Sequence, residues 1–123
     1  MERLVNGIKI LDDYSIQFPC GAVYTSPNKI MEALEHPTGV VIRIDVEPWP
    51  KEKEAIIRNV IKLSMKGIEE WRLDPPVKNE RDSFGRITNN DNDTFKVIDY
   101  CGFCLIVNFI DGVILEKKWS IAY

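Results

Sequence analysis

The hydrophobic pattern is strongest near the C-terminus. There Cys101-Gly102-Phe103-Cys104-Leu105-Ile106-Val107-Asn108-Phe109-Ile110 runs almost unbroken into Asp111-Gly112, followed by Val113-Ile114-Leu115-Glu116-Lys117-Lys118-Trp119. Two strand-like runs about an Asp-Gly pair predict a β-hairpin. A two-residue loop sets Val107 against Glu116 and Leu105 against Lys118, which mixes charge into an apolar face. A three-residue loop, Ile110-Asp111-Gly112 with Gly112 left-handed in a G1 bulge, sets Phe109 against Val113, Val107 against Leu115, Leu105 against Lys117 and Phe103 against Trp119. That register leaves one face apolar except for Lys117. Because a one-residue slip inverts every side chain, it is the expected one. The first strand, apolar on both faces, is expected to lie centrally, and the second, with three charges, at an edge.

Elsewhere the period changes. Leu4-Val5 and Ile8-Lys9-Ile10-Leu11 flank Asn6-Gly7 and suggest a small turn or hairpin. Tyr14, Ile16 and Phe18 alternate with Ser15 and Gln17 as a half-buried strand, which Ala22-Val23-Tyr24 continues after a break. Val40 to Val46 reads as a second strand, Ser83 to Thr88 and Phe95 to Asp99 as further ones. Ser26-Pro27 resembles a helix start, so a short helix is expected over Pro27–Glu35, ended by His36-Pro37-Thr38-Gly39. From Pro50 to Arg72, Ile56, Ile57, Val60, Ile61, Leu63, Met65, Ile68 and Trp71 fall within an arc of about 200° at helical spacing, which predicts a long helix lying across a sheet. The fold class expected is α+β: one domain over residues 1–123, with a mostly antiparallel, twisted sheet of five to six strands, one long helix packed across a face and one short helix.

A chain of 123 residues has room for a real core, burying roughly two-thirds of its extended surface. A net charge of -3 argues against a nucleic-acid binder and suits a basic partner. Three cysteines, an odd number, suggest a reducing compartment. With no signal-like N-terminus and no apolar stretch approaching about 18 residues, the expected location is cytoplasmic and no membrane contact is expected.

Candidate chemistry is sparse. Cys101-Gly102-Phe103-Cys104 spells a redox motif, but it enters a strand and not a helix, so the sulfurs diverge and read as core cysteines. With Cys20 and His36 as the only other soft ligands, no metal site and no cofactor are expected. Asn89-X-Asp91-X-Asp93 has calcium-loop spacing but carries Thr94 where glycine belongs and Tyr100 where glutamate belongs. His36 reads as a solvated loop residue.

The pattern therefore points to a non-enzymatic domain that binds another protein, such as an immunity- or antitoxin-type inhibitor or an adaptor. Asp82, Asp91 and Asp93 would attract a basic partner and Trp49, between two prolines, would anchor it. The alternative is a small enzyme or ligand-binding protein whose pocket between sheet and helix uses Asp45, Glu47, Cys20 or His36. A third reading, nucleic-acid binding, rests on Arg58, Lys62 and Lys66 as a basic ridge one helical turn apart.

Overall fold

The computed structural model describes residues 7–46, 58–74, 84–99 and 102–119. Every regular element among them is a strand: β1 (Lys9–Ile10), β2 (Ser15–Gln17), β3 (Val23–Thr25), β4 (Ile30–His36), β5 (Gly39–Ile44), β6 (Val60–Ser64), β7 (Glu69–Arg72), β8 (Phe84–Asn89), β9 (Thr94–Asp99), β10 (Phe103–Asn108) and β11 (Ile114–Trp119). They form three antiparallel sheets, β1-β2-β3, β4-β5-β6-β7 and β11-β10-β9-β8. No helix among the described residues is long and apolar enough to cross a membrane.

The sheets stack as three layers, and the middle one is buried on both faces. Ile8, Ile16 and Phe18 of the first layer close on Val40, Ile42, Ile44, Ile61 and Leu63 of the middle layer. On the other side, Val41, Val60 and Leu73 pack with Phe84, Ile87, Phe95, Val97, Leu105, Val107 and Phe109 of the third. Alternate residues of β5 and β6 thus serve different cores, which is why both strands read as continuous apolar runs.

That double burial corrects the expected α+β class: the architecture is all-β. The segment read as a long helix holds β6 and β7, and its residues 50–57 lie outside the described residues. The 200° apolar arc was the signature of a strand buried on two faces, which helical spacing cannot distinguish from a wide helical stripe. Between the two strands, Gly67 sits at φ 77°, Ser64 N–H donates to Ile68 O at 2.8 Å, and the Ser64 hydroxyl accepts from Lys66 and Ile68 N–H. This is turn chemistry inside an apparent helix.

The short helix is likewise a strand. In β4, Ala33 packs on the first core and Leu34 on the second. Pro37-Thr38 then forms a two-residue hairpin closed by the His36–Gly39 pair. Ser26 is buried and its hydroxyl engages Asn28, making a local turn where a helix cap was expected.

Other expectations stand. β2 and β3 pair, with Ile16 and Phe18 buried. The strand read after Gly39 is β5, and those at 83–88 and 95–99 are β8 and β9. β10 is central and β11 lies at an edge. Phe103 faces Trp119 and Leu105 faces Lys117 as the bulged-loop register requires, and Gly112 is left-handed at φ 73°. Nearer the turn a bulge sets Val107 opposite Ile114 in place of Leu115.

Two side-chain clips fasten the middle layer to the third. Asn59, buried, donates to the carbonyls of Ile44 and Phe84 and accepts from Phe84 N–H. Glu32 pairs with Arg43 across β4 and β5 and also accepts from Ile87 N–H at 3.1 Å. Each satisfies backbone groups that the layer junction would otherwise strand without partners.

Candidate functional site

The most chemically loaded cluster lies where the β4–β5 turn meets the end of β10. Lys62, on the third-layer face of β6, is 0% exposed. Its ammonium donates to Thr38 Oγ1 at 2.9 Å, Glu70 Oε1 at 2.9 Å and the Phe109 carbonyl at 3.2 Å. Three donors meet three acceptors, the condition for burying a lysine at all.

Local backbone irregularity makes this possible. Lys62 pairs with Trp71 and Leu63 with Glu69, so Glu70 is the extra residue of a β-bulge. A bulge re-aims the side chain it carries. Here Glu70 and Trp71 both turn toward the third layer, Glu70 to Lys62 and Trp71 Nε1 to the Phe109 carbonyl at 3.2 Å.

His36, 5% exposed, stacks on the Phe109 ring at 4.7 Å, and Phe109 in turn packs on Phe95 at 4.8 Å and Phe95 on Trp71 at 6.0 Å. Thr38 N–H lies 3.2 Å from His36 Nδ1 and can only donate, so Nδ1 is the bare nitrogen. Nε2 then carries the hydrogen that faces Asp93 Oδ1 at 3.3 Å. The Thr38 hydroxyl, which accepts from Lys62, lies 2.7 Å from the same Nδ1. Polar contacts thus run from Lys62 through Thr38 and His36 to Asp93.

Asp93 belongs to the β8–β9 turn, held on itself by Asp91. Asp91 Oδ1 accepts from the N–H groups of Asp93 at 2.9 Å and Thr94 at 2.8 Å. A side-chain hydrogen bond with Thr94, reinforced by these backbone bonds, holds the exposed Asp91 carboxyl below its ordinary value of 3.8. A carboxyl depressed in the folded state stabilises above its unfolded value and loses that contribution as pH falls through the folded one. Asp91→Asn is therefore expected to melt below the wild type near neutral pH. The gap should close in acid, which thermal melts across the range will show; a gap constant with pH would refute the charge contribution.

Only some of the site residues read from sequence fall among the described residues. Trp49, Asp82 and Glu47 lie outside the described residues, as does Cys101. Asp91 shapes its own turn, and Asp93, 71% exposed, reaches His36 while facing solvent. His36 is no solvated loop residue but a buried member of the network. Asp45 follows β5, with its N–H on Lys29 O and its carbonyl accepting from Asn28. The six residues of β5, about 20 Å of strand, separate it from His36. Cys20 is exposed in a turn. Asp45 and His36 therefore do not share a pocket.

The basic ridge is also dispersed: Lys62 is buried, Arg58 is paired with Asp74, and Lys66 lies in the β6–β7 turn. Among the described residues no group of three or more His, Cys, Asp or Glu side chains is placed to hold a metal ion. Concavities among the described residues include two on the first-layer side of the molecule. One is lined by Ile10, Asp12, Asp13, Ile30, Met31, Glu32 and Ala33, the other by Gly7, Lys9, Gln17, Phe18, Pro19 and Gly21, and both lie away from the lysine network.

A second feature is a surface. All six residues of β11 are exposed, and Ile110, Val113, Ile114, Leu115 and Trp119 bring exposed apolar side chains to one hairpin. Lys117 Nζ lies 4.3 Å from the Phe103 ring centroid, and Trp119 meets the same ring edge-on at 5.0 Å. Five apolar side chains are thus left to water on one hairpin.

No curated protein and no solved structure matches the chain. A family model described as Domain of unknown function (DUF7957) matches residues 21–119, which span β3 to β11 and so include both the lysine network and the exposed hairpin; the chain belongs to that family.

Proposed function

We propose that this protein acts by binding another protein, as an inhibitor of the immunity or antitoxin kind or as an adaptor, and that the β10–β11 hairpin is the binding surface. The observation that carries this reading is β11 itself: an edge strand exposed over its whole length, with Leu115 at 57% and Trp119 at 62% exposure. An edge strand offers unpaired main-chain groups for affinity and alternate side chains for specificity. Large aromatic residues at such a surface anchor partners. Asp93 and Asp91, in the β8–β9 turn of the same sheet, add exposed negative charge, which favours a basic partner and a faster encounter at low salt.

The lysine network supports this reading by what it connects. It ties the β4–β5 turn, the β8–β9 turn and the end of β10 together, so the strand that carries β11 is anchored at its turn end. Binding to a surface held in one conformation loses less freedom than binding to a floppy one.

The test uses tagged protein as bait in native lysate, wild type beside Leu115→Asp and Asp91→Asn/Asp93→Asn, with retained proteins identified by mass spectrometry. The expected result is one stoichiometric protein held by the wild type, lost with Leu115→Asp and weakened, with a shallower salt dependence, by the double neutralisation. Equal retention by wild type and Leu115→Asp would remove the hairpin from the interface.

A further inference from the structure

We propose that β11 pairs antiparallel with β11 of a second copy, about a two-fold axis through Lys117, joining the two four-stranded outer sheets into one of eight strands. The inference goes beyond the binding reading above by seating a second copy of the chain on that edge.

The argument comes from which side chains meet. Glu116 and Lys118 lie opposite Ile106 and Cys104 on the outer face and form an ion pair at 3.0 Å. Lys117 and Trp119 lie opposite Leu105 and Phe103 on the inner face. A two-fold antiparallel pairing of edge strands keeps outer faces on one side, so each residue meets one of the same face. Only a few registers satisfy this. Centring on Glu116 sets that carboxylate against itself. Centring on Lys117 sets Glu116 against Lys118 twice, while Leu115, the extra residue of the bulge, stands outside the regular ladder.

The Lys117-centred register is therefore self-complementary on its outer face, where it makes a square of alternating charge. Its one adverse contact, Lys117 against its own copy, is relieved because each ammonium is drawn back over Phe103. β11 ends its sheet, and among the described residues no strand pairs on its other side. Such an interface is isologous, the commonest way in which two copies of a chain associate.

The test is sedimentation equilibrium of the full chain with charge-reversal variants, circular dichroism confirming the fold of each. Wild type should be dimeric. Glu116→Lys, which sets lysine against Lys118 at both positions, should weaken association at least tenfold, and Glu116→Lys/Lys118→Glu should restore it to within about threefold. For register, Lys117→Cys should form an intermolecular disulfide under mild oxidation, since directly opposed residues lie within bridging distance. Glu116→Cys and Lys118→Cys should not, with the unaltered chain as control for its own cysteines.

A monomeric wild type, a dimer indifferent to Glu116→Lys, or cross-linking at position 116 in place of 117 overturns the proposal. Capture of a different protein by a monomeric chain leaves the binding function standing and overturns self-pairing. A dimer that captures nothing else upholds self-pairing and removes the foreign partner.

Discussion

Replacing Gly39 with alanine is expected to unfold the domain. Gly39 opens β5 at φ 150° and pairs with Ser64 across the middle sheet. A Cβ there would lie 1.9 Å from the Leu63 carbonyl oxygen and 3.0 Å from the Ser64 Cα, both fixed main-chain atoms. Relief requires β5 and β6 to separate, and those strands form the shared wall of both cores. A loss of about 4 kcal/mol or more is expected, a large part of what a domain of this size has to lose. Urea denaturation measures it. A midpoint unchanged from wild type would mean that β5 and β6 do not approach as described.

Lys62 is expected to give the second largest effect, and its two natural replacements should disagree. Lys62→Ala removes a buried four-carbon stem and takes the donor from Thr38 and Phe109, so a loss of about 3 kcal/mol is expected. Lys62→Met keeps the stem's volume and abolishes the charge. The Phe109 carbonyl retains Trp71, and Glu70, 42% exposed, can turn to water, so the methionine variant should fall within about 1 kcal/mol of wild type. Chemical denaturation of both decides the matter. Equal large losses would show that the ammonium's hydrogen bonds, not its stem, carry the stability. A harmless alanine would sink the whole account of the network. If methionine is tolerated by the fold yet weakens partner capture, the network's value lies in positioning the hairpin.

The sequence made the third layer largely legible because its pattern is local. An Asp-Gly turn and alternate burial fixed which of β10 and β11 lies inside and which at the edge, and the pairing of Phe103 with Trp119 followed from sterics within one hairpin. The middle layer was hidden by its own burial. With both faces covered, Val60-Ile61-Lys62-Leu63 loses the alternation that announces a strand, and apolar residues every position satisfy helical spacing as readily. Two signals in the chain pointed the other way. Ser64 and Gly67 are turn residues inside the supposed helix, and Pro37-Thr38 sits between two runs that can pair as a hairpin.

The candidate site was less legible still. Lys62 looked like a solvent-side charge because lysine is almost never fully buried. Its partners come from three separate parts of the chain, Thr38, Glu70 and Phe109, and Glu70 reaches it only through a bulge that no local pattern announces. A single lysine in the middle of a β-branched run was the one available hint. For His36, the partner Asp93 was concealed by distance, 57 residues away along the chain and adjacent in the fold.

The two-sided burial of β5 also bears on how such a sequence can drift. Val40 and Ile42 answer to one core, Val41 to the other, and Arg43 is tied to Glu32, so the strand has no position that a substitution can occupy unnoticed. Each change there must be matched in one of two separate neighbourhoods. β11, open along its length, carries no such obligation to the interior. A lineage is free to rewrite that strand while the layers behind it stay as they are.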